Sequence, residues 1–405
     1  MSIEAQEIMS AVNYYNTQIY CDMLPMEDLG SNSWIYPIGP SHVQTGMQRP
    51  DHVRFMLFGM TLGHRINQTQ DRHQQQVLAK QYLKYRGHVI RSLTAAINTE
   101  RDRPSDLILV GIMSLLLTDA QHGVSLDSRC HIEAIARIIL LRGGIGAVAK
   151  SQPLDAMLIC FLSTAIFANT STPAEALFMT EAQIMGVKEL TAKFRDRTFM
   201  FSSCPAVLFA CIANLNHLRY RASHRQSLRP DNIHDEAMDI LKRVESFCPS
   251  QWSNGRPAST PDWELIGAIY QSAVALFCIS SMQSLSVFAK TAALAAQSTC
   301  FRHHLQSLLR TALQSAKIQR YLFWPLLVLG VDSARDGDAM RAFVKREMLR
   351  MSSHIGTCVP IIAQDVLVRF WTSGETHWDA CFDRPYTFAT QIAIDTSRIS
   401  TSVSK

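Results

Sequence analysis

None of the ten cysteines stands in a C-x-x-C pair, the spacing that zinc clusters and dithiol redox sites need. Most sit inside apolar runs instead, as Cys160 does in Leu158-Ile159-Cys160-Phe161. They read as small apolar side chains in a reducing compartment, not as a disulfide framework. Charge of one sign is also scarce. The net charge is +5, too little by itself to argue for nucleic acid. Long apolar runs are missing. The longest, Leu107 to Leu117 and Tyr321 to Val331, fall short of the roughly 20 residues of a membrane span. Buried helices are expected there, and no membrane partner. The N-terminus, Met1-Ser2-Ile3-Glu4-Ala5-Gln6-Glu7, lacks the basic-then-apolar order of a signal peptide.

Catalytic signatures are equally sparse. The sequence has no P-loop, no G-x-S-x-G elbow and no H-E-x-x-H pair. No residue is therefore assigned to catalysis, to a cofactor or to a metal, and the chain is not read as an enzyme. Gly144-Ile145-Gly146-Ala147-Val148-Ala149 mimics a dinucleotide fingerprint. That fingerprint works after a strand; here it follows a helix, so a helix-ending turn is the better reading. Adjacent His303 and His304 point to different sides of a helix, while His217 and His224 could share a face. No carboxylate pair accompanies either set. Cys204 and Cys211 have a C-x6-C spacing but belong to an apolar helix, and read as core. A basic run from His217 to Arg229 carries Arg219, Arg221, Arg225 and Arg229 with one aromatic, Tyr220. Without a reading helix it is expected to be a solvated loop rather than a DNA contact.

Helical periodicity is what the sequence does contain. Ile8, Val12, Tyr15 and Ile19 predict a helix over 3–24. A Pro- and Gly-bearing loop follows to Pro50. Asp71 to Ile97 reads as one long helix with Val77, Tyr82, Tyr85, Val89 and Leu93 on its apolar side. Pro104 opens a helix that is apolar nearly all round, ends at Gly123 and is expected at the centre. Asp127 or Ser128 is expected to cap the next, which runs to Arg142-Gly143-Gly144. Further helices are predicted over 153–168, from Thr172-Pro173-Ala174-Glu175, over 204–220, from Asp231 to Phe247, from Thr260-Pro261, over 285–299 and over 303–316. No stretch shows repeated strand alternation. The fold class is all-α, a large multi-helix array. Residues 1–50 form an N-terminal helix and loop, and 51–384 form the main domain. A Pro/Ser/Gly-rich loop at 249–259 suggests halves 51–248 and 260–384. Residues 385–405 are expected to be a disordered tail.

Two stretches carry a family likeness. The first is Tyr321-Leu322-Phe323-Trp324-Pro325-Leu326-Leu327-Val328-Leu329-Gly330, followed by Arg335-Asp336-Gly337-Asp338, Arg369-Phe370-Trp371 and Thr376-His377-Trp378-Asp379. The second is His131-Ile132-Glu133-Ala134-Ile135 with Arg142-Gly143-Gly144. Their order resembles the fungus-specific transcription factor domain, the helical regulatory region of Zn2Cys6 activators. The resemblance implies a nuclear transcription regulator of a metabolic gene set, a secondary-metabolite cluster among the candidates. It implies the transcription machinery or a DNA-bound factor as partner, with homodimerisation open. DNA would be contacted only through a zinc cluster, and zinc would be a cofactor only if that cluster lies upstream. The alternative is a standalone interaction or ligand-sensing module. Entry into the first helix directly from Met1 favours that alternative, or a missing first exon. Trp324, Trp371 and Trp378 carry the likeness. They are read first as core aromatics and second as the lining of a pocket for a small apolar ligand.

Overall fold

A computed structural model of the chain describes residues 3–30, 35–100, 104–123, 129–150, 152–194, 204–224, 232–254, 256, 260–392 and 394. The described residues are helical almost throughout, with no strand, so the chain is all-α as the sequence predicts. Helices of eight residues or more are α1 (Ile3–Tyr14), α2 (Pro40–Met47), α3 (Met56–Gln68), α4 (Arg72–Thr99) and α5 (Asp106–His122). There follow α6 (Arg129–Leu141), α7 (Asp155–Thr170), α8 (Thr180–Phe194), α9 (Ala206–Ser223) and α10 (Ile233–Ser246). The last five are α11 (Thr260–Ser284), α12 (Ala292–Ala312), α13 (Phe323–Asp332), α14 (Asp338–Ile355) and α15 (Val359–Ser373).

Local signals account for several ends. Asp71 caps α4 by accepting the His73 N–H at 2.9 Å. Helix α5 stops at Gly123, whose φ of 68° is the left-handed cap conformation. Helix α6 ends in Gly143 and Gly144, with φ of 90° and 89°, and the Gly144 N–H closes back on Ile139 O at 2.9 Å. Of the fingerprint-like glycines, Gly144 therefore belongs to a helix-ending turn, and Gly146 lies in a single helical turn, Ile145–Val148, that follows it. The caps expected at Asp127, Ser128 and Asp231 lie outside the described residues.

Other expectations are corrected. Thr172-Pro173-Ala174-Glu175 does not start a long helix, which begins at Thr180. The Thr172 hydroxyl donates back to Ala168 O at 2.8 Å, and the Ala174 N–H goes to Asp379 Oδ1 at 3.0 Å. A single turn over Ala174–Ala176 results. On α4 the inward residue is Leu78 and Val77 is exposed. The two helices expected over 285–316 are one, α12. Helices α2 and α3 occupy a region with no expected helix, because glycines and prolines there masked the periodicity. Of the tail expected to be disordered from 385, the described residues 385–392 and 394 pack inward, with Tyr386, Phe388, Ile392 and Ile394 buried, and the rest lies outside the described residues.

Helix α5 is central, as expected: Ile108 through Gln121 are all buried. It packs on α3, α4 and α6. Helix α11 is the centre of the C-terminal part, against α9, α10, α12 and α13. It is also long and apolar enough to cross a membrane by length and composition, although Gln271 and several serines break its apolar run. Most of it is buried inside the fold, where Ser280 donates to Asp332 Oδ1 at 3.0 Å. One apolar cluster contains Leu109 and Phe161 from before the 249–259 loop and Phe277 and Val344 from after it.

The C-terminal end of α7 is the most demanding point of the packing. Asn169, Thr170, Ser171 and Thr172 are all fully buried. A helix end leaves its last carbonyls without intrahelical partners, and burial removes water as a substitute. Arg219 of α9, itself fully buried, donates to Asn169 O at 2.7 Å and Thr172 O at 2.8 Å. Trp378 Nε1 donates to Thr170 O at 2.9 Å, and Trp324 Nε1 to the Thr170 hydroxyl at 2.9 Å. The Tyr386 N–H supplies Ser171 O at 3.1 Å. Asp379 Oδ1 accepts from Arg219 at 2.8 Å and so balances its charge.

Gly330 has a second packing role. A Cβ there would lie 2.5 Å from Leu367 Cδ1, so α13 and α15 touch at this point, and Gly330 O accepts the Trp371 Nε1–H at 2.9 Å.

Arg219→Met should lower stability in urea unfolding by about 3–5 kcal/mol, because it strands Asp379 and two carbonyls. Trp378→Phe keeps the ring and loses the donor, at a cost of about 1–3 kcal/mol. Gly330→Ala should cost about 1–3 kcal/mol by forcing α13 from α15.

Candidate functional site

Helix α1 continues past Tyr14 as one turn of π-helix, Tyr15–Ile19, a distortion often found beside functional sites. Its Asn16 clamps the segment that follows. Nδ2 donates to Ile38 O at 3.0 Å, and Oδ1 accepts the Ile38 N–H at 2.8 Å. The Tyr15 hydroxyl adds a bond to Tyr36 O at 3.3 Å. Residues 35–47 are thus held as a strap over α3, and beneath them lies a cavity of about 380 Å³.

The cavity is apolar on most sides. Five methionines, Met23, Met26, Met47, Met56 and Met60, line it with Tyr15, Tyr36, Phe58 and Tyr321. Thr390, Gln391, Ile392 and Ile394 of the C-terminal segment supply another wall. Its polar lining is selective in sign: Arg49, Arg54 and Arg320 contribute, and no carboxylate does. Arg54 is held by Asp51 at 2.6 Å. Burial lowers the pKa of Arg49. Burial also lowers that of Arg320, with Asp22 opposing. The Ser114 hydroxyl of α5 is buried at the wall and has no hydrogen-bond partner.

Trp324, Trp371 and Trp378 do not line this cavity. Trp324 and Trp378 are buried, with ring centroids 5.3 Å from Phe167 and 4.9 Å from Phe277 respectively. Trp371 is partly buried over Gly330. All three indoles are engaged with the backbone or the Thr170 hydroxyl. Sequence reasoning missed the cavity residues; the clustering of methionines on both sides of the Pro/Gly loop was the available signal.

Several charged groups away from the cavity are bound up in packing. Asp119, fully buried on α5, accepts from the Tyr82 hydroxyl at 2.9 Å and from Arg86 at 2.7 and 2.9 Å. His131 Nε2 lies 4.0 Å from the same carboxylate. Arg142 of the Arg-Gly-Gly turn pairs with Asp106 at 2.6 Å, which ties α6 to the start of α5. Asp332 accepts from Arg302 and Arg335 as well as Ser280. In the basic run, Arg219 is internal and Arg221 pairs with Glu236 at 2.8 Å, so these two do not form a solvated loop. Arg225 and Arg229 lie outside the described residues.

Cys204 and Cys211, of the C-x6-C spacing, are core thiols. Zinc binds the thiolate, whereas burial raises the Cys204 pKa well above its ordinary value and that of Cys211 to about 11. Among the described residues no three His, Cys, Asp or Glu side chains converge in a metal-holding group. His303 lies 3.5 Å from Asp336, and His217 meets the Thr180 hydroxyl at 3.0 Å.

The described residues thus form an all-helical array with several buried ion pairs beside a large, mostly apolar cavity. Residues 10–384 match the fungal-specific transcription factor domain, and the chain belongs to that family. It is a fungal transcription regulator. It is similar to the phomenoic acid biosynthesis cluster-specific transcriptional regulator of Leptosphaeria maculans. The two are 35% identical over 394 residues, which cover 96% of this chain and 75% of the relative. No solved structure matches.

Two histidines, the buried His64 and the half-buried His122, give the domain an acid limit. Burial lowers the pKa of both His64 and His122 from 6.5 to about 4. Folded-state values below the unfolded ones mean that stability is complete above pH 6.5 and is lost as pH falls toward 4. At pH 5 the urea-unfolding free energy should drop by on the order of 2 kcal/mol per histidine. His122→Gln should flatten this pH dependence.

Proposed function

We propose that this chain is the regulatory domain of a nuclear transcription factor that controls one secondary-metabolite gene cluster. The observation that carries the reading is the 35% identity to a cluster-specific regulator across 96% of the chain. Both family-like stretches, at 130–144 and 321–382, fall inside the matched span.

The domain acts by contact rather than by catalysis. Asp119, Asp332 and Asp379 are each held by arginines inside the packing, which supports a structural use of the charged groups. Its partners in this reading are the transcription machinery and DNA-bound protein. DNA itself would be contacted only through a zinc cluster, if one lies upstream of these residues. The regulated state is set by which of two packings of the helical array is populated.

The test is transcript sequencing after deletion and after overexpression of the gene in its own fungus. One contiguous group of biosynthetic genes should fall in the first strain and rise in the second, or the reverse for a repressor. Cluster transcripts unchanged in both strains, under conditions where the gene is expressed, overturn the reading. Nuclear accumulation of a tagged full-length protein checks the location.

A further inference from the structure

The cavity beneath the strap is a half-open cleft. The cavity of about 380 Å³ is within the roughly 300–1,000 Å³ range of small-molecule sites. Most of its wall is apolar and offers little to ordered water, which needs several polar partners. Methionine-rich linings adapt to flexible apolar ligands. The body of an occupant is therefore aliphatic.

Its headgroup follows from charge. The lining contains arginines and no carboxylate. Arg54 is already paired with Asp51. Arg320 has one hydrogen bond, from Nη2 to His354 O at 3.3 Å, and its buried Nε has no partner. No carboxylate of the described residues lies within ion-pair distance of it. Asp22 acts on it only from beyond ion-pair distance, so this half-buried guanidinium has no direct anion, and a ligand carboxylate would accept two of its N–H groups in parallel. The unpartnered Ser114 hydroxyl offers another donor at the wall.

We propose that this cavity binds a long-chain aliphatic monocarboxylic acid, with its chain among the methionines and its carboxylate at Arg320. The cover of the site gives binding a consequence. Tyr15, Ile19, Met60 and Ile392 form a small apolar cluster separate from the main core, with Ile38 packed on it. An acid in the cavity ties the strap at 35–47 and the C-terminal segment at 390–394 to α3. This binding property is independent of the transcriptional reading and is measured on the purified chain.

The experiment compares dodecanoate, dodecanol and dodecyltrimethylammonium by calorimetry, each below its micelle concentration. Dodecanoate should bind about tenfold or more tighter than the other two. Arg320→Gln should erase that preference and leave dodecanol binding unchanged. Met56→Trp, which fills the cavity, should weaken both; if it fails to fold, the Arg320→Gln comparison still decides. Hydrogen exchange at 35–47 and 390–394 should slow with dodecanoate. Equal binding of the three amphiphiles, preference for the alcohol or the ammonium, or no binding by the folded chain overturns the proposal. So does an acid preference that survives Arg320→Gln, or binding that protects neither segment.

Discussion

The buried end of α7 is the constraint on which the rest of the fold depends. Four consecutive fully buried residues present carbonyls that water cannot reach. Donors must then come from elsewhere in the chain, and they come from far away: Arg219, Trp378 and the Tyr386 amide. A buried guanidinium needs an anion, which Asp379 provides. That one requirement fixes α9, the Trp378–Cys381 turn and the C-terminal segment against α7 at once. It also explains why tryptophans at 324 and 378 both point at Thr170.

Close approach of helices imposes the second set of constraints. Gly330 lets α13 meet α15, and its carbonyl takes the Trp371 indole. Gly356, with φ of 73°, lets the turn between α14 and α15 lie on His64, where a Cβ would sit 2.1 Å from the ring. Asp119 does for α4 and α5 what Asp379 does for α7 and α9, by holding Arg86 and Tyr82 across the contact. Asp119, Asp332 and Asp379, each held by arginine, are the internal fasteners of these contacts.

The cavity lies where those fasteners are absent. Its floor is rigid helix, α3 and α5, while its cover is the strap, the π-helical turn and the C-terminal segment. The cover is held by the Asn16 clamp and a small separate apolar cluster. Local stability is lowest where few apolar contacts anchor a segment, so this region is the natural place for an occupant to act. Both end segments of the described chain meet there, which couples occupancy to the geometry of the ends.

The sequence by itself determined the all-helical class, most helix positions, the central place of α5 and the family likeness. These are local properties: apolar spacing at 3.6 residues, cap residues such as Asp71, and stop signals such as Gly123 and Gly143-Gly144 depend only on near neighbours. Tertiary structure alone decided the rest. Thr172-Pro173 has every mark of a helix start, yet Asp379, more than two hundred residues away, takes the Ala174 amide and prevents it. Arg219 reads as one cation of a basic run until the α7 carbonyls draw it inside. The cavity was not legible because its walls come from α1, the strap, α5, Arg320 and the C-terminal segment. No spacing rule links those positions, since a void is a property of how packed faces fail to meet and not of any one face.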